Sequence, residues 1–156
     1  MREFESRDAA SFDFAEVLYR KADWVATVTI NRPHSYNAYS TAALRELATA
    51  VQDAAFDDAV GVIVVTGAGT AAFCTGGDVK EYEEAYTSRP RDYWKYMGLF
   101  RAWIESLVNA GKPVIARING MAAGGGNESQ LACDLAVMAE HAWLGQVGTR
   151  VGSVAA

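Results

Sequence analysis

Glu128 stands just after three consecutive glycines, Gly124-Gly125-Gly126, and Asn127, and the spacing predicts a short helix over 127–133. The apolar run at 113–118 predicts a buried strand before it, followed by the turn Asn119-Gly120. Glycines at a strand-to-helix turn leave backbone N–H groups unshielded by any Cβ. The helix N-terminus adds partial positive charge. Such a place suits an anion or an oxyanion that develops during a reaction. A carboxylate in the first helical turn beside it completes the minimum equipment for proton transfer next to a carbonyl. Taken alone, the glycines also describe a tight turn and Glu128 a charge that complements the helix dipole.

A second segment of the same kind lies upstream. Phe73-Cys74-Thr75-Gly76-Gly77-Asp78-Val79-Lys80 follows an apolar strand predicted over 60–66. Here too glycines precede a helix start, with Asp78 reading as its N-cap rather than as a catalytic acid. One N–H from each glycine turn can converge on a single oxygen.

The elements that must position these turns read as an α/β domain. Residues 1–13 read as a loose leader. Strands are expected over 14–20 and 24–30 around the turn Lys21-Ala22-Asp23, with Trp24, Ala26, Val28 and Ile30 sharing one face. Ser40 caps a helix whose apolar face is Leu44, Leu47, Ala48 and Val51. Pro90 opens a long helix ending before Gly111, with the stripe Tyr93, Tyr96, Met97, Phe100, Ile104 and Leu107. Gly98 within that stripe marks a close contact. A further buried strand is expected over 135–139. Strands alternating with helices imply a largely parallel sheet.

In their order along the chain, these segments resemble the enoyl-CoA hydratase/isomerase, or crotonase, superfamily. Phe73 to Lys80 resembles its first signature. Lys112-Pro113-Val114-Ile115-Ala116-Arg117-Ile118-Asn119-Gly120 with Gly124 to Glu128 resembles its second. Asn31-Arg32-Pro33 and Asn37-Ala38-Tyr39 are similar to its N-terminal block, and Leu131 to Ala136 with Leu144-Gly145-Gln146 to its continuation. The resemblance runs from about Ala15 to the last residue. It implies a spiral of ββα units and acyl-coenzyme A thioester substrates, with coenzyme A entering as part of the substrate and no separate cofactor. It also implies a thioester oxygen held by the amides of Gly77 and Gly125. Glu128 matches the first of two glutamates with which hydratases handle water. Asn37, Ala38, Thr75, Gly76, Asp78, Val79, Lys80 and Gly124 fall where such enzymes meet the substrate and its coenzyme. Tyr82 and Tyr86 either line the acyl pocket or pack. The family's trimers or pairs of trimers are the expected assembly. Its domain normally continues past this point with a C-terminal helical part, so the chain reads as short for the family.

One departure matters. The register Leu144-Gly145-Gln146-Val147-Gly148 places Val147 and Gly148 where hydratases carry the second glutamate. The segment Gly145 to Ser153 resembles two other branches, the dihydroxynaphthoyl-CoA synthases and the ring-opening 6-oxocyclohexenecarbonyl-CoA hydrolases. The second is nearer, with a similar Asn-Ala-Tyr, a similar Phe-Cys-Thr-Gly-Gly and a glutamate at the place of Glu128. A binder that holds acyl-CoA without turnover is the remaining alternative.

Composition excludes other classes. With 14 basic and 19 acidic residues the net charge is −5, which disfavours nucleic-acid binding. Arg32, Lys80 and Arg117 are nonetheless available to meet coenzyme phosphates. Cys74 and Cys133 read as buried free thiols rather than a disulfide framework. No run of about 18 apolar residues supports a membrane span, and Met1 to Glu5 lacks the apolar core of a signal peptide, so a cytoplasmic protein is expected. His34 and His141 form no ligand-spaced pair. No G-x-S-x-G elbow is present. Gly67-Ala68-Gly69-Thr70-Ala71-Ala72 imitates a dinucleotide fingerprint, but Phe73 to Gly77 cannot continue the helix that fingerprint requires.

Overall fold

A computed structural model of the chain describes residues 6–150. Val151, Gly152, Ser153 and the ending Val154-Ala155-Ala156 lie outside the described residues, as does Met1 to Glu5. Strands β1 (Val17–Ala22) and β2 (Val25–Ile30) pair antiparallel, from Val17 opposite Ile30 to Ala22 opposite Val25. The two residues between them, Asp23 and Trp24, have φ of 53° and 68°, as a tight two-residue hairpin turn demands. Trp24 therefore belongs to the turn, not to the strand face assigned from alternation, and it is exposed. Ala26, Val28 and Ile30 do face the core.

Ser40 caps helix α1 (Thr41–Phe56), its hydroxyl accepting from the Ala43 N–H at 3.1 Å. Leu44, Leu47 and Val51 are buried. Strands β3 (Val62–Gly67) and β4 (Ala72–Cys74) follow, then the single turn α2 (Val79–Glu81), which continues as a π-helical turn over Tyr82–Tyr86. Helix α3 (Pro90–Val108) has Pro90 in its first turn, where a missing N–H costs nothing. Its buried face is Tyr96, Phe100, Trp103 and Leu107. Trp103 was absent from the apolar stripe read in the sequence, and Tyr93, which was in it, is exposed. Gly98 meets no close neighbour where its Cβ would be, against expectation. Then come β5 (Val114–Ile118), β6 (Met121–Ala123), α4 (Gly125–Leu131), β7 (Leu135–Met138) and β8 (Leu144–Gly145).

Two sheets result. One has the order β1-β2-β3-β5-β7 and the other β4-β6-β8. Apart from the β1–β2 hairpin all pairings are parallel. The pairs β3/β4, β5/β6 and β7/β8 each give one strand to each sheet, which is a stepped spiral of ββ units with helices between. β7 departs from the sequence reading, because all four of its residues are exposed. It is an edge strand paired only with β5, and Leu135 and Val137 are 60% and 63% exposed.

Residues 6–13 of the leader segment are tied to the core. Asp8 caps a 3₁₀ turn over Ala9–Ser11, and the Phe12 ring lies 5.2 Å from Phe14 and 5.6 Å from Tyr19 between centroids. The Ser6 hydroxyl donates to Asp57 at 2.6 Å. Lys21 bridges Asp53 at 2.8 Å and Asp57 at 2.6 Å, joining β1 to the end of α1. Burial by itself would raise the Asp57 carboxyl, but hydrogen bonds from Lys21, Ser6 and the Ala59 N–H outweigh it and hold the group at about 2, against an ordinary 3.8. A depressed folded-state value stabilises the fold above the unfolded value and loses that contribution as pH falls. About 2 kcal/mol of stability is therefore expected to disappear between roughly pH 4 and pH 2. Urea midpoints measured across that range should fall steeply in the wild type and less steeply in Asp57→Asn. Equal acid slopes in the two proteins would remove Asp57 from the account.

Candidate active site

Strands β4 and β6 are parallel neighbours, with Ala72 opposite Met121 and Cys74 opposite Ala122, and each runs into a glycine turn. Gly76 has φ of 91° and Gly124 of 52°. L-residues rarely adopt these left-handed values. Each turn then presents the next residue, Gly77 or Gly125. The turns abut, since a Cβ on Gly76 would sit 3.0 Å from the Gly125 nitrogen. Among the described residues, neither the Gly77 N–H nor the Gly125 N–H donates to a protein acceptor. Two amides without a protein acceptor thus stand on abutting turns after adjacent strands.

The first turn is held from both sides. The Tyr39 N–H donates to Gly76 O at 2.9 Å and the Asp78 N–H donates to Tyr39 O at 3.1 Å, bracketing Gly77. The Asp78 carboxylate accepts from the Lys80 and Glu81 N–H groups and from Arg32 at 2.9 Å. Burial opposes ionisation of Asp78, yet these bonds bring it below its ordinary value. Asp78 is thus a cap and an ion-pair partner. Arg32 is buried and bonded to Glu16 at 2.9 Å, to Asp78 and to the Ala38 carbonyl. It is not available for a coenzyme phosphate, contrary to the sequence reading, whereas Lys80 and Arg117 are exposed.

The second turn rests on α3 and β4. Trp103 Nε1 donates to Ser129 Oγ at 2.9 Å, and that hydroxyl donates to Gly125 O at 2.8 Å. A Cβ on Gly126 would lie 2.0 Å from the Cys74 carbonyl oxygen, so only glycine lets α4 seat against β4. Burial pushes the Cys74 thiol up to about 12, which makes it packing rather than a nucleophile. Cys133 is half-buried.

Glu128 lies in the first turn of α4, half-buried, and its Oε1 accepts from Gln146 Nε2 at 2.8 Å. The Gln146 carbonyl accepts in turn from Asn127 at 3.4 Å, and Asn127 from Gln130 at 3.0 Å. Gln146 was not singled out as a site residue. The available signal was its place beside the positions that lack the second glutamate. Leu131 is exposed at the far end of α4. The Tyr82 hydroxyl donates to Tyr96 at 3.0 Å, within a cluster of rings that includes Tyr86 and Tyr93.

The remaining candidates spread out from these turns. The Asn37 side chain donates to Ala68 O at 2.9 Å and Ala72 O at 2.8 Å and accepts from the Arg32 N–H at 3.0 Å. Buried and fully bonded, it leaves only its backbone for a ligand. Ala38 is buried, while Thr75 is half-buried with its hydroxyl 3.4 Å from Tyr36 O. Val79 and Lys80 are exposed on α2. The exposed His141 ring nitrogen lies 3.1 Å from both Thr70 O and Asn119 O. Among the described residues no group of three or more His, Cys, Asp or Glu side chains is placed to hold a metal ion, and no helix is long and apolar enough to cross a membrane.

A sequence model of the enoyl-CoA hydratase/isomerase family matches residues 20–156. The chain belongs to that family. Its curated relatives include a 6-oxocyclohex-1-ene-1-carbonyl-CoA hydrolase of Geobacter metallireducens, 38% identical over 99% of this chain and 40% of the relative. Another of the same name, from Syntrophus aciditrophicus, is 41% identical over 82% of this chain and 34% of the relative. Among solved structures, an enoyl-CoA hydratase/carnithine racemase of Magnetospirillum magneticum superposes with a TM-score of 0.85 at 30% identity, covering 91% of this chain and 53% of that one. An enoyl-CoA hydratase of Bacillus anthracis gives 0.81 at 34% identity, over 88% and 52%. The chain thus spans well under half the length of these curated relatives and about half of the solved enoyl-CoA hydratase/isomerase family members. The stepped arrangement of paired strands is the fold of that family.

Proposed function

We propose that the chain carries the acyl-CoA site of an enzyme that adds water to an α,β-unsaturated thioester, and that its acyl group is a cyclic one bearing an oxo substituent. The carrying observation is the pair of unpaired amides at Gly77 and Gly125, on abutting turns, with Glu128 in the first turn of the helix that follows. When water attacks the β-carbon, Glu128 takes its proton. The electrons of the double bond move onto the thioester oxygen, and the two amides meet the enolate so formed. Glu128 then returns the proton to the α-carbon, so a single carboxylate can serve both halves of the addition. Gln146 holds that carboxylate in place. Thr75, Gly76, Gly124, Asn37, Ala38, Asp78, Val79 and Lys80 form the turns and rim around the thioester and its coenzyme. No cofactor is invoked beyond the coenzyme A of the substrate.

The names of the curated relatives support the oxo-ring class, as does the absence of a second glutamate at Val147 and Gly148. The ring's ketone carbon is bonded to the α-carbon on the side opposite the double bond, so it lies β to the thioester. Once the double bond is hydrated, the α-carbon is a saturated carbon between two carbonyls. A second water adds to the ketone carbon and gives its proton to Glu128. The bond from that carbon to the α-carbon then breaks, leaving a carboxylic acid, and the released electron pair forms the same thioester enolate. The α-carbon finally takes a proton. Both steps deliver their enolate charge to the same amide-held thioester oxygen, which is why a single chain can support hydrolase or lyase chemistry. The exposed apolar residues Leu131, Leu135, Val137 and Leu144 favour self-association as a trimer or pair of trimers. The assigned compartment is the cytoplasm.

The test is turnover of crotonyl-CoA and of 6-oxocyclohex-1-ene-1-carbonyl-CoA, followed by loss of the conjugated thioester absorbance. Turnover of either, with the oxo ring preferred, is the expected result. Binding of both without turnover would make the chain a non-catalytic acyl-CoA binder, and absence of binding would overturn the reading.

A further inference from the structure

We propose that Tyr39 reads the substrate, its hydroxyl donating to an oxo oxygen on the carbon β to the thioester, beside the oxygen held by Gly77 and Gly125. This rests on the functional reading just given and names the group that would select the acyl class.

Tyr39 spans the whole oxyanion site. Its backbone bonds on both sides of Gly77. Its side chain crosses to the other turn, where a Cβ on Gly125 would fall 1.8 Å from the Tyr39 hydroxyl oxygen. The ring is fixed by stacking on Phe100, with centroids 5.5 Å apart, and the residue is 2% exposed. Three tyrosine hydroxyls gather here. Those of Tyr82 and Tyr96 bond to each other. The Tyr39 hydroxyl has no hydrogen-bond partner among the described residues. No buried side-chain oxygen or nitrogen among the described residues lacks a partner, so this unpaired oxygen reaches solvent and is open to a ligand. Burial, with the neighbouring Cys74, Tyr96, Tyr82 and Glu128, raises this phenol well above its ordinary value. Tyr39 therefore keeps its proton at working pH and acts as a donor.

Substrate geometry supplies the acceptor. In a β-oxo thioester the ketone carbon and the thioester carbon are attached to the same α-carbon, so their two oxygens can lie side by side in one plane. With the thioester oxygen on the amide pair, the ketone oxygen falls on the Tyr39 side of Gly125. Addition of water to the ketone turns that oxygen into an alkoxide, which a neutral phenol is suited to stabilise. When the carbon–carbon bond breaks the alkoxide becomes the carbonyl of the new acid, while the electron pair moves to the amide-held thioester. The site thus holds two oxyanion positions used in turn.

Calorimetric binding of acetoacetyl-CoA, a β-oxo thioester, and of butyryl-CoA, the same chain without the oxo group, tests this in wild type and Tyr39→Phe. The wild type is expected to prefer acetoacetyl-CoA, and the variant to lose about five- to tenfold of that preference, the contribution of one hydrogen bond. Butyryl-CoA binding serves as the check that the variant is folded. An unchanged preference in Tyr39→Phe, or equal weakening of both esters, would reduce Tyr39 to a packing residue and overturn the inference. Failure of the wild type to bind either ester would instead overturn the functional reading on which it stands.

Discussion

Replacing Glu128 by glutamine is expected to lower turnover of a 2-enoyl-CoA by about 10²–10⁴-fold, the range for loss of a positioned acid/base. Glutamine has the same shape and keeps an oxygen able to accept from Gln146, whose amide now lies 2.8 Å from the carboxylate. The α4 turn, the Ser129–Trp103 link and the two amides are untouched by the change. Affinity for a saturated acyl-CoA should therefore stay within about threefold, so that the loss appears in kcat rather than in binding. Chemistry followed by thioester absorbance and affinity by calorimetry separate the two quantities. Retained turnover would show that water is activated by another group, and the assignment of Glu128 would fall. A parallel loss of affinity would mean that the carboxylate shapes the pocket rather than moving a proton.

Gly77→Ala is the second substitution with a large expected effect. The new Cβ would lie 1.6 Å from the Tyr82 hydroxyl oxygen, 2.4 Å from its ring carbon and 2.7 Å from the Tyr96 hydroxyl oxygen. Tyr82 cannot withdraw easily, because it packs edge-on against Tyr93 and Tyr96 at centroid distances of 5.9 and 5.0 Å. The turn must move instead, carrying its amide away from the thioester oxygen. Loss of one oxyanion donor costs about 10²–10³ in rate, and the overpacking about 1–3 kcal/mol of stability. Pairing the change with Tyr82→Ala removes the nearer obstruction, leaving the Tyr96 hydroxyl at 2.7 Å, and should return part of the turnover. Full activity in Gly77→Ala alone would exclude this amide from catalysis.

Much of this architecture was legible in the residues. The helix capped by Ser40, the proline-opened helix at Pro90 and the strands at 60–66 and 113–118 follow from local rules of capping, periodicity and apolar runs, and each formed within a few residues of its expected bounds. The glycine turns were legible for the same reason, since left-handed φ values at Gly76 and Gly124 are a backbone demand that only particular residues meet. Contacts set by the tertiary arrangement were not legible. Trp103 looked like any aromatic outside the main stripe until α4 brought Ser129 to its indole. Arg32 looked like a free cation until Glu16 and Asp78 closed on it from distant parts of the chain. β7 read as buried because its residues are apolar, while burial depends on what lies across a strand. Tyr39 sat inside a recognised motif, yet nothing local tells that its hydroxyl reaches Gly125.

The placement of the glycine turns on β4 and β6 has an evolutionary consequence. Neighbouring strands keep a spacing of about 4.8 Å whatever side chains they carry, so the separation of the two amides is inherited from the sheet itself. Mutation can redraw the surrounding walls, exchange Gln146 or alter the tyrosines without changing the spacing of the amides proposed to receive negative charge. A lineage built this way could wander among substrates, and even among bond types broken, while the spacing of the two proposed oxyanion amides is copied by the backbone.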